Sequence, residues 1–332
     1  MLFRIASTRR QMLAVSGGTA LLWALDARAA PIDAKDAYPS RPVTIVTGAP
    51  PGSPLDILAR LIGSVLDTTL AQHFIVENKP GAARNLAADY VAKSRPDGYT
   101  VLFGIDGPFT VNPHLYRKMP FKPGDMKPVM ILGSSGLLIG VNPKTGIRTM
   151  AELVEAARTR PLNICTGGIG SPGHLVLAEL DQTAKTKLNP IPYKGNAPAV
   201  AAIVSGEVDG GILATGGMIP YVKDGRITAL AVTGAQRSGL APTVPTVAEA
   251  GYRKLQQEVL FVAMVPAATP DAAVQTLASA ITDAMKRPEV QQRMHLLDTR
   301  PNGATGADAA RTLSEDFERY GRIIQATGMK VE

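Results

Sequence analysis

From Pro42 onward the chain alternates short β-branched runs with longer stretches of helical apolar period, and that rhythm leaves few folds open. Residues 43–47, Val-Thr-Ile-Val-Thr, predict a buried strand. Leu55, Leu58, Leu61, Ile62, Val65 and Leu66 then recur at i, i+3 and i+4, which predicts a helix over 54–70 with one apolar stripe. Strands are expected at 74–76 and 99–103, with a short helix over 84–94 between them, closed by the turn triplet Pro96-Asp97-Gly98. Further strands are expected at 162–165, 190–192, 211–213, 227–233 and 259–265, with helices between them and at about 270–286 and 305–327. Alternation of this kind implies an α/β fold with parallel sheets and helices on both faces. There is no sequence repeat, low-complexity tract or long linker.

Composition narrows the function. With 332 residues, 45% hydrophobic and 19% charged, the chain can bury a core and lies outside the disordered class. Its length suggests about two domains. The single cysteine, Cys165, excludes an intramolecular disulfide and a cysteine-based zinc site, and a buried, inert thiol is expected. The four histidines, at 73, 114, 174 and 295, include no H-x-x-x-H pair, so no metal site is expected.

The formal charge of +7 would fit nucleic acid, acidic lipid or small anions. The N-terminus changes that reading. Arg4, Arg9 and Arg10 precede an apolar stretch over 12–25, and Ala27-Arg28-Ala29 has the small-x-small form of a signal peptidase site. The stretch is too short to span a bilayer. Residues 1–29 are therefore expected to be an export signal, by the general secretory or the twin-arginine route. Cleavage after Ala29 would remove Arg4, Arg9, Arg10, Arg28 and Asp26, a net three positive charges, leaving +4, and would take away Trp23, the only tryptophan. No nucleic acid partner is expected of a periplasmic protein with so small a charge.

The most distinctive local run is Cys165-Thr166-Gly167-Gly168-Ile169-Gly170-Ser171-Pro172-Gly173-His174. Its glycines let backbone approach a ligand closely. Ser171 is placed to cap a helix and Pro172 to open it, and the unpaired N–H groups there favour a carboxylate or phosphate. Residues 168–173 formally match G-x-G-x-x-G, but the next strand, Pro190-Ile191-Pro192, carries no acid for a ribose, so no dinucleotide is expected. Gly48-Ala49-Pro50-Pro51-Gly52-Ser53-Pro54 echoes the arrangement, with prolines that stiffen the loop and Ser53 and Asp56 at capping-box spacing. Two such loops suggest two edges facing an anion. Arg84 and Lys194 stand at glycine-bearing turns and could neutralise it. Ser171 and His174 invite a hydrolase reading, but there is no G-x-S-x-G elbow and no evident acid partner, so His174 reads as an ordinary helix-face residue.

An ordered set of short blocks resembles the periplasmic solute-binding proteins of tripartite tricarboxylate transporters, the Bug family. The blocks include Tyr38-Pro39-Ser40-Arg41-Pro42-Val43, Glu77-Asn78-Lys79-Pro80-Gly81-Ala82, Pro96-Asp97-Gly98-Tyr99-Thr100 and Asn112-Pro113-His114-Leu115-Tyr116. Gly170-Ser171-Pro172-Gly173-His174-Leu175, Tyr193-Lys194-Gly195, Gly206-Glu207-Val208-Asp209 and Val244-Pro245-Thr246-Val247 follow in order. The resemblance implies a periplasmic-binding-protein (Venus flytrap) fold of two α/β lobes with a ligand cleft between them. Lobe 1 is expected at 30–140 plus 255–332, and lobe 2 at 141–254. It implies a non-enzymatic, monomeric receptor without cofactors, which captures a small carboxylate (organic acid, amino acid or aromatic acid) and delivers it to membrane permease subunits. Carried over by motif, the ligand loops are 49–53, 106–107, 166–171, 193–194 and 214–215. With Arg84 added, the expected binding residues are Ala49, Gly52, Ser53, Arg84, Asp106, Thr166, Gly167, Gly168, Gly170, Ser171, Tyr193, Lys194, Ala214 and Thr215.

The chain departs from the family pattern in three places. Pro51-Gly52-Ser53 stands where Pro-Gly-Gly is usual, Ala83-Arg84-Asn85 replaces glycines with side chains, and Ala214-Thr215 stands where an acid is common. A lost acid and a gained Arg84 suggest a ligand with more anionic character, or one without an ammonium group. Three competing readings are a periplasmic sensor of the same fold, a secreted hydrolase using Ser171 and His174, and a polyanion binder.

Overall fold

The alternation read from the sequence becomes two half-sheets joined by one strand. The computed structural model describes residues 38–331; the expected export signal and Trp23 lie outside the described residues. The first half-sheet is built from β1 (Val43–Thr47), β2 (Phe74–Asn78) and β3 (Thr100–Ile105), all parallel. Helix α1 (Pro54–Thr69) joins β1 to β2, and α2 (Asn85–Ala92) joins β2 to β3. Two short helices follow, α3 (Gly107–Thr110) and α4 (Asn112–Leu115). The second half-sheet contains β5 (Leu162–Thr166), β6 (Leu188–Pro192) and β7 (Gly210–Ala214), again parallel. Its connections are α6 (Pro172–Ala184) and α7 (Asn196–Ser205), with α5 (Met150–Thr159) leading in. Helix α8 (Thr215–Lys223) and β8 (Thr228–Val232) complete it. The chain returns through β9 (Glu258–Pro266), α9 (Asp271–Met285), α10 (Pro288–Leu296), β10 (Arg300–Pro301) and α11 (Gly306–Thr327).

The joining strand is β4 (Met126–Val141), which the alternation does not reveal. From Met126 to Gly136 it runs antiparallel to β9; from Leu137 to Val141 it runs antiparallel to β7 and β8. Its Pro128 and three glycines read in sequence as punctuation. In the structure the glycines are needed for close approach. A Cβ on Gly133 would lie 2.6 Å from the Arg300 carbonyl oxygen, one on Gly136 2.8 Å from the Gly234 nitrogen, and one on Gly140 2.8 Å from Ile227. Pro190 and Pro192 are tolerated because β6 is the edge strand of its half.

Side-chain alternation then divides the core. Leu137, Ile139 and Val141 pack with α5 and α6, whereas Leu138 packs with Cys165, Leu213 and the residues of α7 and α8. In the first half Val46, Leu102, Ile131, Val262 and Met264 pack under α2 and α11. Cys165 is fully buried and its thiol donates to the Ala199 carbonyl at 3.4 Å; desolvation pushes its pKa up to about 12. The expected inert thiol is what the structure contains.

The expected caps are formed. The Ser53 hydroxyl accepts from the Asp56 N–H at 3.5 Å, and the Ser171 hydroxyl accepts from the His174 N–H at 3.4 Å. One glycine of the 165–174 run, outside the expected binding set, serves packing. A Cβ on Gly173 would stand 2.1 Å from the Ile212 carbonyl oxygen, so Gly173 serves to seat α6 against β7. Gly173→Ala is expected to lower unfolding free energy by roughly 1–3 kcal/mol through overpacking. Gly216→Ala, in open space on α8, should leave stability unchanged or raise it by up to about 1 kcal/mol. Urea denaturation of the two variants side by side tests the contrast.

Candidate functional site

The site begins with an unusual backbone. Residues 81–84 all have positive φ: Gly81 at 130°, Ala82 at 46°, Ala83 at 49° and Arg84 at 70°. Left-handed backbone costs a residue with a Cβ roughly 1–2 kcal/mol. Three such residues in succession therefore store strain, which persists where the surroundings over-determine it. Here the Arg84 N–H bonds the Gly81 carbonyl at 2.8 Å. The buried Asn112 amide donates to the Ala83 carbonyl at 3.1 Å and to Asn85 Oδ1 at 2.7 Å. Gly48 leaves the room, since a Cβ there would lie 2.9 Å from Arg84 Cβ.

The strained turn delivers a guanidinium to a cavity of about 200 Å³. Arg84 makes no side-chain hydrogen bond or ion pair among the described residues. It is exposed by area because the cavity is open, yet protein atoms crowd it enough that desolvation lowers its pKa, against the opposing field of Asp106. Opposite lie residues 167–172, the loop between β5 and α6. The N–H groups of Gly168 and Ile169 find no acceptor among the described residues. The remaining wall comes from the β3–α3 corner with Asp106, from Gln257 and Glu258 at the start of β9, and from Tyr320 of α11.

Asp106 is 4% exposed. Its Oδ1 accepts from the Leu260 N–H at 3.1 Å and its Oδ2 from the Thr110 hydroxyl at 3.3 Å. Desolvation, reinforced by the negative charge of Asp316, outweighs those bonds and pushes its pKa up to about 7. Burial likewise pushes Asp316 up to about 6.

Comparison with known proteins fits this geometry. Residues 58–329 match the family described as tripartite tricarboxylate transporter family receptor. The chain belongs to that family. BugT of Bordetella pertussis is 30% identical over 308 residues, covering 92% of this chain and 94% of that protein. An adipate-bound protein of R. palustris is similar in structure with a TM-score of 0.78 and 30% identity, covering 89% of this chain and 99% of the other. Malate-bound MatC from Rhodopseudomonas palustris has a TM-score of 0.72 and 27% identity, covering 86% of this chain and 100% of the other. The fold is therefore the periplasmic-binding-protein fold of these receptors, and the chain is a Bug-type receptor by sequence and structure.

In this receptor the cavity wall brings together Arg84, Asp106, Gly167, Gly168, Gly170 and Ser171 from the expected set. The other expected residues stand elsewhere, each for a local reason. Ala49 is buried with its carbonyl accepting from the Asn78 amide at 3.0 Å. The Gly52 N–H is bound by Asp56 at 2.9 Å, and Ser53 is occupied as the α1 cap. Burial alone would raise the Asp56 pKa, but hydrogen bonds from Arg60, Asn78 and Gly52 hold it below the usual range, so Asp56 stiffens this loop. The Thr166 hydroxyl donates to the Gly168 carbonyl at 3.4 Å. Tyr193 donates to Glu207 at 2.7 Å, and Lys194 is an exposed side chain beside it. Thr215 lines a second cavity with Arg237, Asp298 and Arg300, and Ala214 lines neither. The lost acid at 214–215 thus says nothing about the wall of this cavity, which keeps Asp106.

The side chains of Ser171 and His174 are not hydrogen-bonded to each other. The Ser171 hydroxyl is on a backbone N–H, and His174 Nδ1 accepts from the Gly170 N–H at 3.3 Å. Sequence reasoning missed Asn112, Gln257 and Tyr320. Asn112 stood in a quoted family block, Asn112-Pro113-His114; the other two lie far along the chain and carry no local signal.

Two measurements test these forces. Ala83→Gly should raise unfolding free energy by roughly 1 kcal/mol by releasing left-handed strain, and Arg84→Gly should also stabilise the fold, both read by urea denaturation. Asp106→Asn tests the buried carboxyl. Because its folded pKa lies above the unfolded value, the parent binds more protons folded than unfolded and loses stability as pH rises from about 4 through about 7. The stability of the Asn variant relative to the parent should therefore climb over that window and level off above it.

Proposed function

We propose that the protein is a periplasmic receptor that captures a small carboxylate between two lobes and delivers it to the membrane subunits of a tripartite transporter. The observation that carries the reading is the Arg84 guanidinium, unpaired among the described residues, in a cavity whose other wall offers the Gly168 and Ile169 N–H groups, which likewise find no acceptor among them. A carboxylate satisfies both sides through charge-assisted hydrogen bonds. The adipate and malate named for its structural neighbours belong to the same chemical class. A division into two lobes, expected at 30–140 with 255–332 and at 141–254, is supported by the exchange of partners along β4, which puts the first crossing at Gly136 and Leu137 rather than at 140, and by the return of the chain at β9. Closing the lobes over a ligand would shift an open–closed equilibrium and present a joint surface to the permease, with no bond made or broken. Residues 1–29 would direct export, and the receptor would act as a monomer.

The reading is tested by a thermal-shift screen against mono-, di- and tricarboxylates, amino acids and aromatic acids, followed by calorimetry. A true ligand should raise the melting temperature with concentration by mass action. Arg84→Ala should weaken its binding at least about ten-fold, the loss of one hydrogen bond to a charged group. An affinity unchanged in that variant would remove Arg84 from the site.

A further inference from the structure

One groove on the surface carries a charge that the protein itself leaves unbalanced. Its volume is about 680 Å³, and its walls are α6, residues 253–256 ahead of β9, and the second half of α11. Four cations line it, Arg253, Lys254, Arg319 and Arg322, against one acid, Glu179. Arg319 takes up that acid. Its guanidinium donates to Glu179 at 2.9 Å, to the Gln256 carbonyl at 2.7 Å and to the Lys254 carbonyl at 2.9 Å. These bonds tie α6 and residues 253–256 to α11. Arg253, Lys254 and Arg322 are exposed and make no side-chain hydrogen bond or ion pair among the described residues. Glu318, one turn before Arg322 on α11, does not line the groove and pairs with no cation among the described residues.

Like charges gathered in a concavity reinforce one another and focus their field on an incoming anion. Their mutual repulsion is relieved when such a guest arrives. The two free guanidiniums are planar forks that match carboxylates, and Lys254 adds a point charge beside them. The buried Ile323 and the exposed Ala326 supply an apolar strip along the same wall. A bilayer is broad and flat and meets convex basic faces; cations set inside a groove are reached by an inserting chain.

We propose that this groove docks an acidic segment of a protein partner, which in the receptor reading is a membrane subunit of the transporter. The inference rests on that reading and adds the contact through which delivery takes place. The groove and the Arg84 cavity share no lining residue, so docking and capture are separable by mutation. They nevertheless adjoin along two elements. Gln256 and Arg319 line the groove, whereas their chain neighbours Gln257 and Tyr320 line the cavity. A partner seated in the groove therefore bears on the segments that wall the ligand cavity.

The test is fluorescence anisotropy on the whole mature chain, with labelled hexaglutamate as the probe and hexaglutamine as its uncharged control. Hexaglutamate should bind saturably, hexaglutamine should not, and the affinity should fall as salt is raised. A variant carrying Arg253→Gln, Lys254→Gln and Arg322→Gln should bind hexaglutamate at least about ten-fold more weakly, the combined loss of three exposed charge contacts. Arg117, Lys118 and Lys122 are exposed cations outside the groove. Changing those three to Gln should alter the affinity less than about two-fold, which separates the groove from general surface charge. Equal losses in the two variants, or no binding by the parent, would overturn the proposal. So would co-sedimentation with phosphatidylglycerol vesicles that the groove variant abolishes while hexaglutamate does not bind, since that outcome assigns the groove to a membrane. The groove variant should keep the parent's melting temperature and its response to the acids of the thermal-shift screen. A lost response would overturn the proposal by assigning these charges to capture. If the parent itself responds to no acid, the receptor reading falls, and with it the transporter subunit as partner.

Discussion

Every other element of this protein takes its place from the backbone ladder of β4. A strand inside a sheet must satisfy N–H and C=O groups on both edges, and β4 does so with four different partners. Along Met126–Gly136 one edge is taken by β9, and the other meets β10 and residues 302–304. Along Leu137–Val141 the edges are taken by β7 and β8. One continuous strand therefore holds two parallel half-sheets in register. Glycines at 133, 136 and 140 are the condition for this, because neighbouring backbone or side-chain atoms lie where a Cβ would stand.

The cavity follows from that geometry. Parallel strands bring their C-terminal ends to one edge, where ligands of open α/β sheets bind. The β3–α3 corner and the β5–α6 loop meet there from the two halves, with the start of β9 completing the wall. The left-handed turn at 82–84 is the expensive part of the arrangement. Its strain is held by Asn112 and by the space at Gly48, and the result is a guanidinium without a partner among the described residues. Asp106, in the wall of the same cavity, is kept buried by hydrogen bonds too weak to offset its desolvation. Stored strain and an under-satisfied acid in one cavity are features of a surface completed by a ligand.

Much of the fold was legible because local rules agreed with the tertiary outcome. The apolar period at 55–66, the Ser53 and Ser171 caps and the β-branched run at 43–47 each form as the residues alone suggest. The failures are equally local in origin. The 84–94 helix begins only at Asn85, because Arg84 is left-handed. The 16-residue β4 was invisible because its glycines and Pro128 carry the signature of a turn, and only its neighbours convert that signature into close packing. Gly173 carries no mark of its purpose in sequence and proves to be a packing requirement.

The sequence by itself determined the α/β class, the buried thiol, the two helix caps, the glycine loop between β5 and α6 and the membership of a receptor family, since each is written in contiguous residues. Which of the expected site residues meet was decided only by the tertiary structure. Arg84, Asp106, Gln257 and Tyr320 are separated by long stretches of chain and share a cavity because β4 and β9 bring their elements to one edge. Burial of Asp106, and with it the charge balance of the cavity, is a property of packing from α3, β9 and α11 at once, and no window of the sequence contains it.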